Sequence, residues 1–314
     1  MKRFLSDSAV SGTDIETCAK NLLALDQRQE ILFNTRAALI KELAYSICDG
    51  GTRTAEEIRQ SYFAVLSPSA EPSSESQKYF DGISIFEKIG ICREIALLSK
   101  KGLFTESVLG QNEPCPITAR GRISYVKNNF TDSAYLAFSK SLQSSRCSYS
   151  DSFETICEDV FNGESEFCIL PIETSVDGRL FSFYSLIDRY ELKISGVCSV
   201  NHQGSSKFTR FALLCRTLGV SDQVKALPGK STMLELRIAQ SQADTAPFYD
   251  VFRAADACGM PLLRVDSRPL PYNDSLLSYY AVFEVAGAEL QAFFTYIALE
   301  FPQCYALGIY SSEK

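Results

Sequence analysis

Only twelve residues, 197–208, separate Gly196 from Thr209. This short span limits what the middle of the chain can become. Upstream, Phe167 to Pro171 is a continuous apolar run bounded by polar residues, the pattern of a strand buried on both faces. Gly178 to Tyr190 reads as a helix and Leu192 to Ser199 as a further strand, and Phe208-Thr209-Arg210-Phe211 follows directly. Twelve residues cannot hold an α/β lobe, because one βαβ unit alone takes about thirty. The segment has room for one lobe, not two.

The same alternation extends N-terminally. Arg122 to Val126 reads as a short strand and Asp132 to Leu142 as a helix. Asp151 and Glu154 have capping-box spacing for a helix running to Asn162-Gly163. Alternating strands and helices predict a parallel sheet. Ligands of such sheets bind at the carboxyl ends of the strands. Pro171-Ile172-Glu173-Thr174-Ser175 falls at such an end, as does the loop Lys127 to Thr131.

Residues 13–48 read as one long helix. Cys18, Leu25, Leu32 and Leu39 recur every seven residues, and Ile15, Leu22 and Leu43 fill the neighbouring row. That second row continues through Gln29 and Arg36. An arginine there either snorkels, pairs with a carboxylate on a partner helix, or belongs to an anion pocket. Asp49-Gly50-Gly51 stops the helix. Thr54 to Leu66 is a shorter helix with Thr54 and Glu57 in capping-box spacing. After a polar Pro/Ser loop, Gln77 to Ser99 gives a third, with Ile85, Ile89, Cys92 and Ala96 on one face.

At the C-terminal end the predicted order is strand (Met233–Ile238), helix (Pro247–Cys258), two strands (Pro261–Ser267 and Ser278–Val285), helix (Glu289–Leu299) and strand (Cys304–Ser311). That is the ferredoxin-like split βαβ. The fold class expected is thus α/β and α+β multidomain, with boundaries at 1–110, 120–220 and 228–314.

Composition narrows the function classes. The 46% hydrophobic and 22% charged content is that of a globular protein. A formal charge of -7 argues against non-specific nucleic-acid binding. No apolar run reaches the length of a membrane span, and the start lacks a signal-peptide core; a cytoplasmic protein is expected. The 11 cysteines include no Cys-x-x-Cys pair and read as small core residues. His202 is the only histidine, between Asn201 and Gln203, and reads as a solvated loop residue. No metal site and no cofactor are expected.

Residues 166–199, with Pro171-Ile172-Glu173-Thr174-Ser175 and Thr209-Arg210-Phe211, resemble the first lobe of prephenate dehydratases. In that family Pro-Ile-Glu-Asn-Ser precedes a complete second lobe, and Thr-Arg-Phe follows it. The resemblance implies site roles for Thr209, Arg210, Phe211, Glu173, Ser175 and Thr131. Here an amide has become Thr174, and the family's Gly-Pro-x-Gly-Thr-Phe-Ser loop reads Lys127-Asn128-Asn129-Phe130-Thr131-Asp132-Ser133, without glycine. The N-terminal helices resemble the chorismate mutase domain of bifunctional chorismate mutase/prephenate dehydratases through Leu25-Asp26, Arg36-x-x-Leu39, Ile85-Phe86-Glu87-Lys88-Ile89 and Arg93. Arg36 falls where that family has an active-site arginine, while its lysine and glutamine fall around Ile47 and at Ala96.

Asp266-Ser267-Arg268-Pro269 closely resembles the Glu-Ser-Arg-Pro motif of the family's ACT domain, which dimerises and senses phenylalanine. This implies an effector site at Asp266, Ser267, Arg268 and Phe248. Ala246-Pro247-Phe248 stands where the family has Gly-Ala-Leu. Proline there removes an N–H and adds bulk where a carboxylate would approach.

Three functions follow. The first is a catalytically degraded relative acting as a partner or regulator in phenylalanine biosynthesis. The second is a working dehydratase, converting prephenate to phenylpyruvate, with its cleft completed between chains. The third is an ACT-based sensor of a small molecule. A homodimer through the ACT domain and the N-terminal helices is expected.

Overall fold

The computed structural model describes residues 12–66, 85–99, 121–140, 146–217 (without 203 and 205), 231–239, 247–270, 273–285 and 289–312, together with 103–104, 108 and 142. Three helices come first: α1 (Gly12–Cys48), α2 (Ala55–Leu66) and α3 (Ile85–Leu98). α1 stops as expected at glycines, with φ of 65° at Gly50 and 89° at Gly51. A Cβ on Gly51 would lie 2.5 Å from the Leu98 carbonyl oxygen, so the turn is pressed against the end of α3. The Thr54–Glu57 capping box forms: the Thr54 amide donates to Glu57 Oε2 at 2.8 Å. α3 buries Ile85, Ile89, Ile91, Cys92 and Ile95. The expected first turns of that helix, 77–84, lie outside the described residues.

The central segment contributes β1 (Arg122–Val126), α4 (Asn129–Ser139), β2 (Arg146–Ser150), α5 (Phe153–Phe161), β3 (Phe167–Thr174), the short β4 (Gly178–Arg179), α6 (Phe181–Tyr190), β5 (Lys193–Asn201) and β6 (Phe208–Cys215). Two helix starts differ from the sequence reading. Asn128 caps α4 three residues earlier than expected, accepting from the Phe130 and Thr131 amides at 2.9 Å. α5 is capped by Ser152, which accepts from the Thr155 amide at 3.1 Å, rather than by Asp151. β2 was not expected at all.

The last segment is β7 (Ser231–Ala239), α7 (Pro247–Ala257), β8 (Leu262–Leu270), β9 (Asn273–Glu284), α8 (Leu290–Glu300) and β10 (Cys304–Ser312). Its strands lie in the antiparallel order β10-β7-β9-β8, as the split βαβ pattern requires.

All these strands belong to one sheet, ordered β2-β1-β3-β6-β5-β10-β7-β9-β8, with β4 paired to β3. β1 runs parallel to β2 and β3, whereas β6 is antiparallel to both β3 and β5. β5 therefore returns directly as β6, and the turn is closed by the His202 amide donating to Lys207 O at 2.8 Å. The twelve-residue span is a hairpin and its strands.

β10 joins the two halves by parallel pairing with β5, with Gly308 opposite Ile194 and Ser311 opposite Gly196. Gly308 permits this approach. A Cβ there would collide with the Ile194 carbonyl oxygen and lie 2.6 Å from its Cβ.

The buried side chains follow the same continuity. One cluster joins α1–α3 to α7, α8 and their sheet face. A second joins α5 and α6 to Met233, Tyr280, Leu307 and Tyr310 across the β5–β10 junction, and a third lies under α4. α3 is thus held between α1 and α8, with Lys88 Nζ on Glu300 at 2.8 Å and Arg93 Nε on Glu289 at 2.7 Å. Cys147 is exposed, whereas Cys48, Cys92, Cys157, Cys168, Cys198, Cys215, Cys258 and Cys304 are buried thiols. No described helix is long and apolar enough to cross a membrane.

Adding a methyl group at the junction should strain it. Gly308→Ala is expected to lower stability by about 1–3 kcal/mol, the usual cost of overpacking, read as a lower urea midpoint. An unchanged midpoint would show that β5 and β10 are not in this close contact.

Candidate functional site

The site is assembled from the carboxyl end of β3 and the start of β6. These strands are antiparallel neighbours, so Thr174 lies opposite Thr209 and Glu173 opposite Arg210. The two motifs that stood 34 residues apart become one surface for a covalent reason, the hairpin, and a physical one, ladder pairing.

Thr209 is 8% exposed, and its Oγ1 is 2.9 Å from His202 Nε2. The imidazole also stacks on Phe130, with ring centroids 4.2 Å apart. His202 is therefore not the solvated loop residue that the sequence suggested. It is half-buried and holds the hydroxyl of the threonine in the Thr-Arg-Phe motif.

The other expected hydroxyls are engaged in local structure. Thr131 Oγ1 donates to Val126 O at 2.6 Å and accepts from the Asn128 amide at 2.9 Å, so it is part of the α4 cap. Ser175 clamps β3 to β6. Its amide donates to Phe208 O at 3.0 Å, and its Oγ accepts from the Phe208 amide at 3.1 Å. Thr174 organises the turn that follows by accepting from the Asp177 amide at 2.9 Å. Phe211 is a core residue under α4.

Glu173 is the centre of an ionic network. Its carboxylate lies 3.1 Å from Arg264, 3.5 Å from Arg210 and 3.9 Å from Arg179. Arg264 in turn holds Asp266 at 2.8 Å, and Asp266 is 3.9 Å from Arg179. The even-numbered residues of β8 share one face, as strand periodicity demands. Arg268 follows them, with its guanidinium on Phe181 O at 3.3 Å and Ser185 Oγ at 2.9 Å. Glu173 and Arg210 on one side and Asp266 on the other are thus linked across the two halves of the chain through Arg264 and Arg179, while Arg268 is held by α6.

Behind this network lies Glu235, which has no solvent exposure. Tyr184 donates to its Oε1 at 2.7 Å, Tyr310 donates to Oε2 at 2.8 Å, and Arg179 lies 3.3 Å away. Burial pushes the Tyr184 and Tyr310 hydroxyls upward in pKa, and the Glu235 charge pushes them further, so both remain donors. Burial works most strongly against the Arg179 charge, but Glu235, Tyr184, Tyr310 and Asp266 together outweigh it and the guanidinium is held above its ordinary value. Arg179 Nε and Glu173 Oε2 are buried without a hydrogen-bond partner among the described atoms, 3.9 Å from one another.

The remaining expected residues lie elsewhere. Arg36 forms a 2.8 Å ion pair with Glu87 on α3 while 71% exposed. Phe248 packs on Tyr279 at 4.6 Å and Phe252 at 5.8 Å. Tyr279 is the ladder partner of Ser267, so Ser267 and Phe248 are near neighbours through that strand. Among the described residues no group of three or more His, Cys, Asp or Glu side chains is arranged to hold a metal.

Sequence reasoning missed His202, Arg179, Arg264 and Glu235. Glu235 carried a signal: it is a carboxylate inside the apolar run Met233-Leu234-Glu235-Leu236, costly to bury unless paired.

No protein-family model and no curated protein matches the chain. Solved structures do. The X-ray structure of prephenate dehydratase from Streptococcus mutans aligns at a TM-score of 0.51 and 17% identity, covering 62% of this chain and 99% of that one. The chain has a prephenate dehydratase-like fold. GqqA, described as a novel type of quorum quenching acylase, aligns at 0.47 and 20% identity over 62% of this chain and 97% of its own. Prephenate dehydratase from Arthrobacter aurescens in complex with L-Phe aligns at 0.47 and 12% identity, over 61% and 90%.

The dehydratase-like surface is locked by its own charges, and removing one should be costly. Arg179→Met leaves Glu235 buried without its cation and is expected to cost about 3–5 kcal/mol in denaturant unfolding. Arg179→Met combined with Glu235→Gln should recover a large part of that loss. A double variant no more stable than Arg179→Met alone would show that the two residues are not coupled.

Proposed function

We propose that this chain is a prephenate dehydratase-like protein of phenylalanine biosynthesis that has lost dehydratase chemistry and acts by association, as a partner or regulator. Dehydrating prephenate couples loss of carbon dioxide to loss of a ring hydroxyl. An acid must protonate that hydroxyl, and two carboxylates need donors in a water-poor cleft. The observation that carries the reading is the state of Glu173. Three arginines that could receive substrate carboxylates, Arg179, Arg210 and Arg264, are already gathered around it. Asp266 and Glu235 take up their remaining charge. The short β5–β6 hairpin leaves no room between the two motifs for the second lobe that the resemblance implies.

A second reading, dehydratase turnover with a cleft completed by another chain, has one observation in its favour. The 2.9 Å contact between His202 and Thr209 would let an imidazole hold and reprotonate a donor hydroxyl. The two readings separate in a single-turnover assay with prephenate at neutral pH. The parent protein is expected to match the spontaneous background, with no further loss in Thr209→Ala or His202→Ala. Clear product formation by the parent, falling about a hundredfold in Thr209→Ala as for a lost general acid, would overturn the first reading and establish the second.

A further inference from the structure

Arg179 faces two carboxylates with a donor that bonds neither. Its side chain is 5% exposed, and its Nε stands 3.9 Å from Glu173 Oε2 and 3.9 Å from Asp266 Oδ2. Both Arg179 Nε and Glu173 Oε2 are buried without a hydrogen-bond partner among the described atoms. A separation of 3.9 Å is too long for a direct hydrogen bond.

The groups cannot close on each other freely. Glu173 and Arg179 are ladder partners on β3 and β4, which fixes where both side chains start. The far side of the guanidinium is engaged, with its Nη1 3.3 Å from Glu235 Oε1 and its carbon 5.7 Å from the Tyr184 ring centroid. The other Glu173 oxygen accepts from Arg264 at 3.1 Å. Moving either group toward the other would loosen one of these contacts.

We propose that a single buried water molecule is bound here, accepting from Arg179 Nε–H and donating to Glu173 Oε2 and Asp266 Oδ2. The inference goes beyond the proposed function and holds whether or not the chain turns over prephenate.

Three arguments choose that occupant. First, a buried donor and a buried acceptor left unmade carry their full desolvation cost, and interior waters commonly satisfy such groups when two to four polar partners converge. Second, polar atoms separated by more than about 3.5 Å are the ones a water bridges. An oxygen lying to one side of the 3.9 Å line can be within about 2.8–3.0 Å of both ends. Third, the occupant must accept once and donate twice. A halide or carboxylate cannot donate, and it would face two carboxylates. A metal or ammonium cation cannot accept from Nε–H. The local charges already balance: Arg179, Arg210 and Arg264 against Glu173, Glu235 and Asp266, three of each sign. A neutral molecule that both donates and accepts is required, and water is the smallest. The water joins the Pro-Ile-Glu-Thr-Ser motif on β3 to the Asp-Ser-Arg-Pro motif on β8.

The test is two measurements on the full chain. In solution, the Arg179 Nε–H resonance is followed by NMR with isotopically labelled arginine and assigned by through-bond correlation to its own backbone. It should show a cross-peak at the water frequency whose rotating-frame sign is that of dipolar contact, not of chemical exchange. In the crystal, one density peak should lie within hydrogen-bonding distance of Arg179 Nε, Glu173 Oε2 and Asp266 Oδ2. It should carry no anomalous signal when crystals grow with bromide and rubidium in place of chloride and potassium. An Arg179 Nε bonded directly to either carboxylate, a peak that scatters as bromide or rubidium, or an Nε–H without dipolar contact to water would overturn the assignment.

Discussion

Glu235 is a carboxylate without solvent contact, and the two halves of the sheet meet around it. Its donors come from both sides of the boundary. Tyr184 and Arg179 belong to the segment of β4 and α6, and Tyr310 to β10. A buried charge of this kind is tolerated only when paired and hydrogen-bonded. The pairing requires β10 to lie beside β5, which in turn requires a residue without a side chain at Gly308. The junction, the network and the shared core of α5, α6, Tyr280 and Tyr310 therefore depend on one another. Lys193 adds a further tie by donating to Ala306 O at 2.9 Å; burial depresses its pKa, with Glu191 opposing.

That dependence bears on chemistry. An active cleft needs charged groups that are preorganised and not yet neutralised. Here the charged residues of the dehydratase-like motif and of the β8 motif neutralise one another. Glu173 on β3 is the point where Arg210, from the neighbouring strand, and Arg264, from the far end of the sheet, converge. These charged residues hold the two halves of the protein together.

Much of this architecture is legible in the sequence, because periodicity and stop signals are local. The long first helix, the Thr54–Glu57 cap, the buried strand Phe167 to Pro171 and the βαββαβ order all appear close to where they were expected. Strand β2 was hidden because Arg146-Cys147-Ser148-Tyr149-Ser150 is polar and lies at a sheet edge, so it lacks an apolar run. The α5 cap was displaced by one residue because Asp151/Glu154 and Ser152/Thr155 have equal spacing. Long-range pairing left no local trace. Nothing near Ile194 indicates Gly308, and nothing in Glu173 indicates Arg264. His202 was lost for a related reason. A single histidine in a turn has no pattern around it, and only the β5–β6 hairpin brings it onto Thr209.

If the sheet is one cooperative body, its central strands should open only together. Native-state hydrogen exchange of backbone amides reports this directly, because sub-global units exchange at their own lower free energies. The amides of β5, β6, β10 and β7 should share a single opening free energy, equal to that of global unfolding and falling in parallel with denaturant. Amides of β7 and β10 that exchange at a distinctly lower free energy than those of β5 and β6 would show that the halves open independently, and would contradict the account.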